Sequence, residues 1–116
     1  MNIRHVKQSD YYVIAPQINE WWNGREMADR LPKLFFDHFT NTSFVAEQDG
    51  EIIGFLIGFL SQSHLQEGYI HFVGVHPTHR GSHIGRQLYE SFFQTMKAYG
   101  RNLVRCVTSP VNKNSI

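Results

Sequence analysis

The chain has 116 residues, 41% of them hydrophobic and 18% charged, a net charge of +1 and one cysteine. That length supports one domain, residues 1–116, around one core, and the composition is that of a folded globular protein and not a disordered one. The small net charge argues against a nucleic-acid binder, which carries a clear basic excess, and the lone Cys106 has no partner for an internal disulfide, so a reducing, cytoplasmic setting is expected.

The chain opens on "MNIRHVKQSD", polar and without the apolar stretch of a secretory signal. Within it "NIRHVKQ" alternates around Ile3 and Val6 and reads as a short first strand. Ser9 or Asp10 then caps a helix through "YYVIAPQINEWWN", with a kink, an early stop or two short pieces expected at Pro16. Gly24 hinges a turn. "MADRLPKLFFDHFT" is a second helical candidate with Leu31, Leu34, Phe35 and Phe39 on one stripe, weakened by Pro32.

Two β-rich runs flank Asp49-Gly50, a dipeptide suited to a tight hairpin. The second, "IIGFLIGFL" at residues 52–60, is apolar on both faces and so reads as an interior strand. It falls far short of the ~18 residues of a membrane span, so no membrane partner is expected. Gly54 and Gly58 lie on one face, where they let another backbone or a ring approach. "EGYIHFVGVHP" is a long strand closed by Pro77. A helix follows from Ser82–Ile84, with Ile84, Leu88, Phe92 and Met96 recurring at i+4, Phe93 and Tyr99 widening the stripe and Gly100 at its C-terminal cap. "NLVRCVT" is a last strand, with Cys106 as a small buried hydrophobe. A helix between residues 68–76 and 102–108 makes those strands parallel, while the hairpin is antiparallel. The fold class is therefore α/β with a mixed sheet.

The chemistry concentrates at "VGVHPTHRGSHIGRQLYESF", residues 73–92. A helix N-terminus presents unpaired N–H groups and partial positive charge, and glycines let the backbone wrap an anion. Arg80 and Arg86 add fixed charge. Residues 80–86 thus suit a phosphate or pyrophosphate, with a plain tight turn bearing solvated arginines as the other reading. Neither the GxxxxGK[ST] nor the GxGxxG spacing is present. His71, His76, His79 and His83 lack the paired spacing and cysteines of a closed zinc site, so no metal is expected.

This stretch resembles the acyl-CoA signature of the GNAT superfamily of N-acetyltransferases. Val75 and Pro77 stand at its V-x-P, Arg80 at its Arg/Gln, Gly85 at its last Gly and Leu88 at its helical Leu, while His83 replaces the middle Gly. "IRHVKQSDYYVI" and "FVAEQDGEIIGFLIGFL" resemble the family's first strand and helix and its second and third strands. "LVRCVTSPVNKNSI" is similar to the fifth strand and the start of an Asn-x-x-Ala/Ser-Ile motif, with Asn112, Ser115 and Ile116 in place. The family's next helix, which often carries a catalytic tyrosine, and its last two strands would lie beyond Ile116.

The resemblance implies the GNAT acyl-CoA N-acyltransferase fold, with acetyl-CoA as cosubstrate, and direct acetyl transfer to a primary amine of a small molecule or protein. The pyrophosphate would sit on Gly81, Ser82, His83, Ile84, Gly85 and Arg86, and Asn112 would contribute further along. The pantetheine arm would pair with Val73, Gly74 and Val75, Gly74 lying where the family parts two parallel strands. His71, with Glu67 second, is the candidate base, since Glu67, Tyr69 and His71 share a face with Val73 and Val75 by the period of two. His71 reads equally as a packed sheet residue. Trp21, Trp22 and Tyr69 are candidate acceptor contacts, the two tryptophans reading first as core. At His83 two outcomes are open: an ordinary negative φ that still presents its N–H, or an altered loop. Two further expectations stand beside the enzyme reading, a non-catalytic CoA-binding or assembly module and a homodimer covering the last strand.

Overall fold

A computed structural model describes residues 1–106, and Asn112, Ser115 and Ile116 lie outside the described residues. The strands are β1 Asn2–His5, β2 Phe44–Gln48, β3 Glu51–Leu60, β4 Glu67–Val75 and β5 Leu103–Cys106, and the helices are α1 Tyr11–Trp21, α2 Leu34–His38 and α3 Ile84–Ala98. Among the described residues they form one sheet in the order β1-β2-β3-β4-β5. The first four strands are antiparallel neighbours, and β4 and β5 are parallel, joined by α3. The mixed sheet read from the sequence is thus the observed one.

The sheet separates two apolar layers. On one face Ile14, Ile18, Trp21, Leu31 and Phe36 pack over Val45, Phe55, Ile57 and Phe72. On the other the α3 stripe of Ile84, Leu88, Phe92 and Met96 packs over Phe44, Ala46, Leu56 and Ile70. Gly54 and Gly58 make that second contact possible. A Cβ on Gly58 would lie 2.4 Å from the Phe92 ring, and one on Gly54 would meet Ile84 and Leu88 at 3.0 and 3.3 Å. The expected close approach of a ring is therefore observed.

The first helix departs from expectation at both Asp10 and Pro16. Neither Ser9 nor Asp10 caps it by side chain. A 3-10 turn at Gln8–Asp10 precedes it, and the Asp10 carboxylate accepts from the Lys7 amide at 2.7 Å. Asp10 is buried, and a bidentate fork from Arg4, both bonds 2.9 Å, balances its charge. Arg4 also donates to Glu47 at 2.6 Å, which ties β1, β2 and the start of α1 together. Burial pushes the Asp10 carboxyl up, but the Arg4 fork and the Lys7 amide outweigh it and hold the group below its ordinary value. Pro16 does not break α1. The carbonyl it leaves without an intrahelical donor belongs to Tyr12, an exposed position that solvent serves.

Pro32 does split the second helical candidate, leaving a 3-10 turn at Ala28–Arg30 and the short α2. The expected stripe is corrected: Leu34 is exposed and Phe36, off the stripe, is fully buried. A five-residue helix is too short for its period to decide which side chain enters the core. Phe93 and Tyr99 are likewise exposed and do not widen the core stripe of α3. Gly100 ends α3 as expected. At φ +75° it donates to the Lys97 carbonyl while Arg101 donates to Met96, the paired bonds of a Schellman cap.

Candidate active site

β4 leaves the sheet through a 3-10 turn at Pro77–His79 and enters α3 through residues 80–83. His76 shapes the exit, its Nδ1 accepting from the Thr78 amide at 3.2 Å. The Ser82 hydroxyl donates to the His79 carbonyl and closes the next turn. Gly81 stands at φ +88° and His83 at φ +65°, both left-handed. The ordinary negative φ considered for His83 is therefore corrected: the histidine adopts the conformation that glycine takes without strain. For a residue with a Cβ this costs about 1 kcal/mol, and histidine is among the residues that tolerate it best. Gln87 donates to the His83 carbonyl at 3.1 Å as the helical ladder begins, so the amides of Ile84, Gly85 and Arg86 precede it.

These residues wall a cavity of about 850 Å³. Of the expected cofactor residues, Val75, Arg80, Gly81, His83, Ile84, Gly85 and Arg86 line it, while Val73, Gly74 and Ser82 do not. Gly85 leaves space on the cavity side: a Cβ there would meet only Val75, at 3.8 Å. His79, Tyr89, Glu90, Phe93 and Cys106 complete much of the wall and were not anticipated. Gly85, Tyr89 and Phe93 recur at i+4 one position beyond the buried stripe, a signal present in the sequence. Burial raises the Tyr89 hydroxyl above its ordinary value, and the Cys106 thiol adds to this. Cys106 is exposed, which corrects its reading as a buried hydrophobe.

The Arg80 side chain is also corrected. Its guanidinium donates to the carbonyls of Trp21, the last residue of α1, and of Val75, the last of β4. It fastens the loop to two element ends, and at Trp21 it serves a carbonyl of the last turn of α1, where intrahelical donors run out. Arg86, by contrast, is exposed and lines the cavity.

The larger correction concerns β4. Ile57 pairs with Phe72 and Gly58 with Ile70, so His71 is an extra residue, a β-bulge. The bulge breaks the period of two. Val73 and Val75 pack on the α3 face with Ile70, whereas Phe72 joins the opposite layer. Tyr69 stacks on Phe59 with centroids 5.3 Å apart, and His71 on Phe35 at 4.3 Å and 11°. Tyr69 and His71 thus lie across the sheet from Val73 and Val75. The His71 Nε2 donates to the Arg30 carbonyl at 2.5 Å, which leaves Nδ1 as the nitrogen able to take a proton.

Glu67 stands four residues before His71, about 13 Å along the strand. Its side chain is mostly buried and paired with Arg105 at 2.8 Å, with His64 Nδ1 4.0 Å away. Trp21 is buried beside Phe55 and His76. Trp22 packs on Phe72 and also reaches the cavity wall. Both belong to the core. Gly74 has a packing reason of its own, because a Cβ there would lie 2.7–2.8 Å from the rings of Phe55 and Trp22. The β4–β5 ladder, as far as residue 106, ends at Ile70↔Cys106, one residue before the bulge. Among the described residues no group of three His, Cys, Asp or Glu side chains is placed to hold a metal ion.

A mixed sheet with a parallel pair, a bulged strand β4 and a glycine-containing loop feeding a helix N-terminus define the α/β domain. The chain matches the model of the acetyltransferase (GNAT) family over residues 5–116, and it belongs to that family. It is 33% identical over 83 residues to the L-2,4-diaminobutyric acid acetyltransferase of Nocardia farcinica, a match covering 72% of this chain and 43% of that protein. It is 27% identical over 79 residues to the enzyme of the same name from Virgibacillus pantothenticus, covering 68% and 50%. The chain thus spans about half the length of these curated relatives. Among solved structures it is similar to the diaminobutyrate acetyltransferase of Paenibacillus lautus in complex with L-2,4-diaminobutyric acid and coenzyme A. There the TM-score is 0.79 at 21% identity, over 96% of this chain and 67% of that one. It is also similar to the ribosomal-protein-alanine N-acetyltransferase of Brucella melitensis, with a TM-score of 0.75 at 17% identity, over 99% and 86%. At these identities the structural likenesses speak for the fold.

Proposed function

We propose that this chain carries the acetyl-CoA site of an N-acetyltransferase that moves an acetyl group to a primary amine by direct attack. The observation that carries this reading is the loop from Pro77 to His83, which turns through two left-handed residues into a helix whose first residues, Ile84, Gly85 and Arg86, line the cavity. Those amides and Arg86 would hold the diphosphate of acetyl-CoA, a dianion suited to a helix N-terminus. The pantetheine arm would follow β4 from Val75 through Gly74 and Val73 toward the bulge and would bring the thioester near His71 and Phe72.

In the transfer step the neutral amine nitrogen attacks the thioester carbonyl. A C–N bond forms, the C–S bond breaks, and CoA leaves as a thiolate that takes up a proton. A backbone N–H at the bulge would stabilise the oxyanion. The attacking nitrogen must lose its proton, and the Nδ1 of His71 is the group we assign to accept it, directly or through water. Glu67 is too far along the strand for that task, and it instead holds Arg105 at the outer end of the acceptor face. The relatives are named for L-2,4-diaminobutyric acid, so a small diamino acid is the acceptor to try first. A cytoplasmic setting accords with the unpaired Cys106 thiol.

The test is thiol release from acetyl-CoA across a panel of amines headed by L-2,4-diaminobutyrate, corrected for the protein's own cysteine. Amine-dependent release supports the enzyme. Saturable CoA binding with no release from any amine would instead favour a CoA-binding module without turnover. Absence of CoA binding would refute both.

A further inference from the structure

His83 is the one position where the loop departs from the resemblance and pays for it in backbone conformation. Glycine would take φ +65° freely, yet a histidine stands there. His83 is exposed and is among the residues that line the cavity, with His79 and Arg86. The other titratable or charged groups on the cavity are Arg80 from the preceding turn, Tyr89 and Glu90 from α3, and Cys106 from β5. The Arg80 guanidinium is engaged by the Trp21 and Val75 carbonyls. Among the described residues Arg86 is the other arginine on the cavity, with Glu90 four residues further along α3. His79 and His83 bring two imidazoles to the same lining, and an imidazole is the kind of side chain that can add a positive charge there.

We propose that the His83 imidazole, and not only its backbone amide, binds the diphosphate of the acyl-CoA, so that protonation of this side chain tightens cofactor binding. This inference rests on the acetyl-CoA site assigned above. Residue 83 keeps the left-handed backbone that glycine would take, and its side chain adds a donor that glycine lacks. When protonated, both ring nitrogens are donors and the contact becomes charge-assisted.

The probe is 3′-dephospho-CoA, whose diphosphate keeps its charge across the range, so that a pH dependence belongs to the protein. Its affinity for the full chain is measured by calorimetry at pH 6 and pH 8 for the wild type, His83→Asn and His83→Gly. Asparagine tolerates the left-handed region and glycine adopts it freely, so neither variant strains the loop. The wild type is expected to bind about fivefold tighter at pH 6 than at pH 8. In both variants that ratio should fall toward what His79 alone supplies, with weaker binding at pH 6. Variants that bind as tightly as the wild type with the same pH ratio overturn the inference while leaving the cofactor site standing. No binding by the wild type at either pH overturns the cofactor site and this inference together.

Discussion

The two faces of the sheet are built on different principles. The α3 face carries the proposed cofactor site, built from backbone: a turn, two left-handed residues and the first amides of one helix, all within residues 76–87. The α1–α2 face is built from side chains brought together over long separations. His71 is bonded to Arg30 and stacked on Phe35, and Tyr69 lies on Phe59. Backbone recognition of a phosphate needs a local sequence of small and φ-tolerant residues, which survives as a motif. Side-chain recognition of an acceptor needs positions fixed by the whole fold, and these leave no short pattern to read.

The glycines separate the two principles most sharply. Gly74→Val pushes a branched side chain into the rings of Phe55 and Trp22, and thermal or urea unfolding should show a loss of about 3 kcal/mol. Gly85→Phe meets no such obstacle, since only Val75 lies near. It should leave the melting temperature close to wild type while weakening CoA binding about 100-fold by blocking the amides. If Gly85→Phe unfolds the protein, the contrast between a packing glycine and a site glycine is broken.

On the side-chain face, His71→Gln keeps a donor for the Arg30 carbonyl and removes the proton acceptor. The kcat is expected to fall about 30-fold or more, with CoA affinity unchanged. The lost activity should return as pH rises and more amine is neutral. A fall in CoA affinity instead would make His71 part of the cofactor wall.

The Arg4–Asp10 fork should give a pH-dependent stability that belongs to neither ligand site. The folded-state value of Asp10 is depressed, so its contribution is fully present above about pH 4 and fades as the pH falls through the folded value. Asp10→Asn should lower stability at pH 7 by about 1.5 kcal/mol and flatten the acid limb of the stability curve. An unchanged acid limb would show that other carboxylates govern it. The smallest effect expected is at His83, where glycine relieves the left-handed strain and should raise stability by about 1 kcal/mol.

The sequence reading failed where a single residue reset a period. The element order, the hairpin at Asp49-Gly50, the packing role of Gly58 and the cap at Gly100 were legible, because each rests on local geometry or a repeating apolar pattern. The bulge at His71 was not, because nothing in "GYIHFVGV" marks which residue lacks a partner on β3. A strict period of two puts Tyr69 and His71 on the face of Val73 and Val75, whereas the bulge sets them on the opposite one. Arg80 was likewise read by its charge alone, whereas the carbonyls that claim it come from Trp21 and Val75, which only the fold brings to it.

The central claim is that the loop entering α3 is a cofactor cradle. Calorimetric titration of acetyl-CoA into the full chain, beside Gly85→Phe, tests it most directly. Saturable one-to-one binding by the wild type that is lost in a folded Gly85→Phe is the predicted result. Absence of binding by the wild type, or equal binding by the variant, would contradict it.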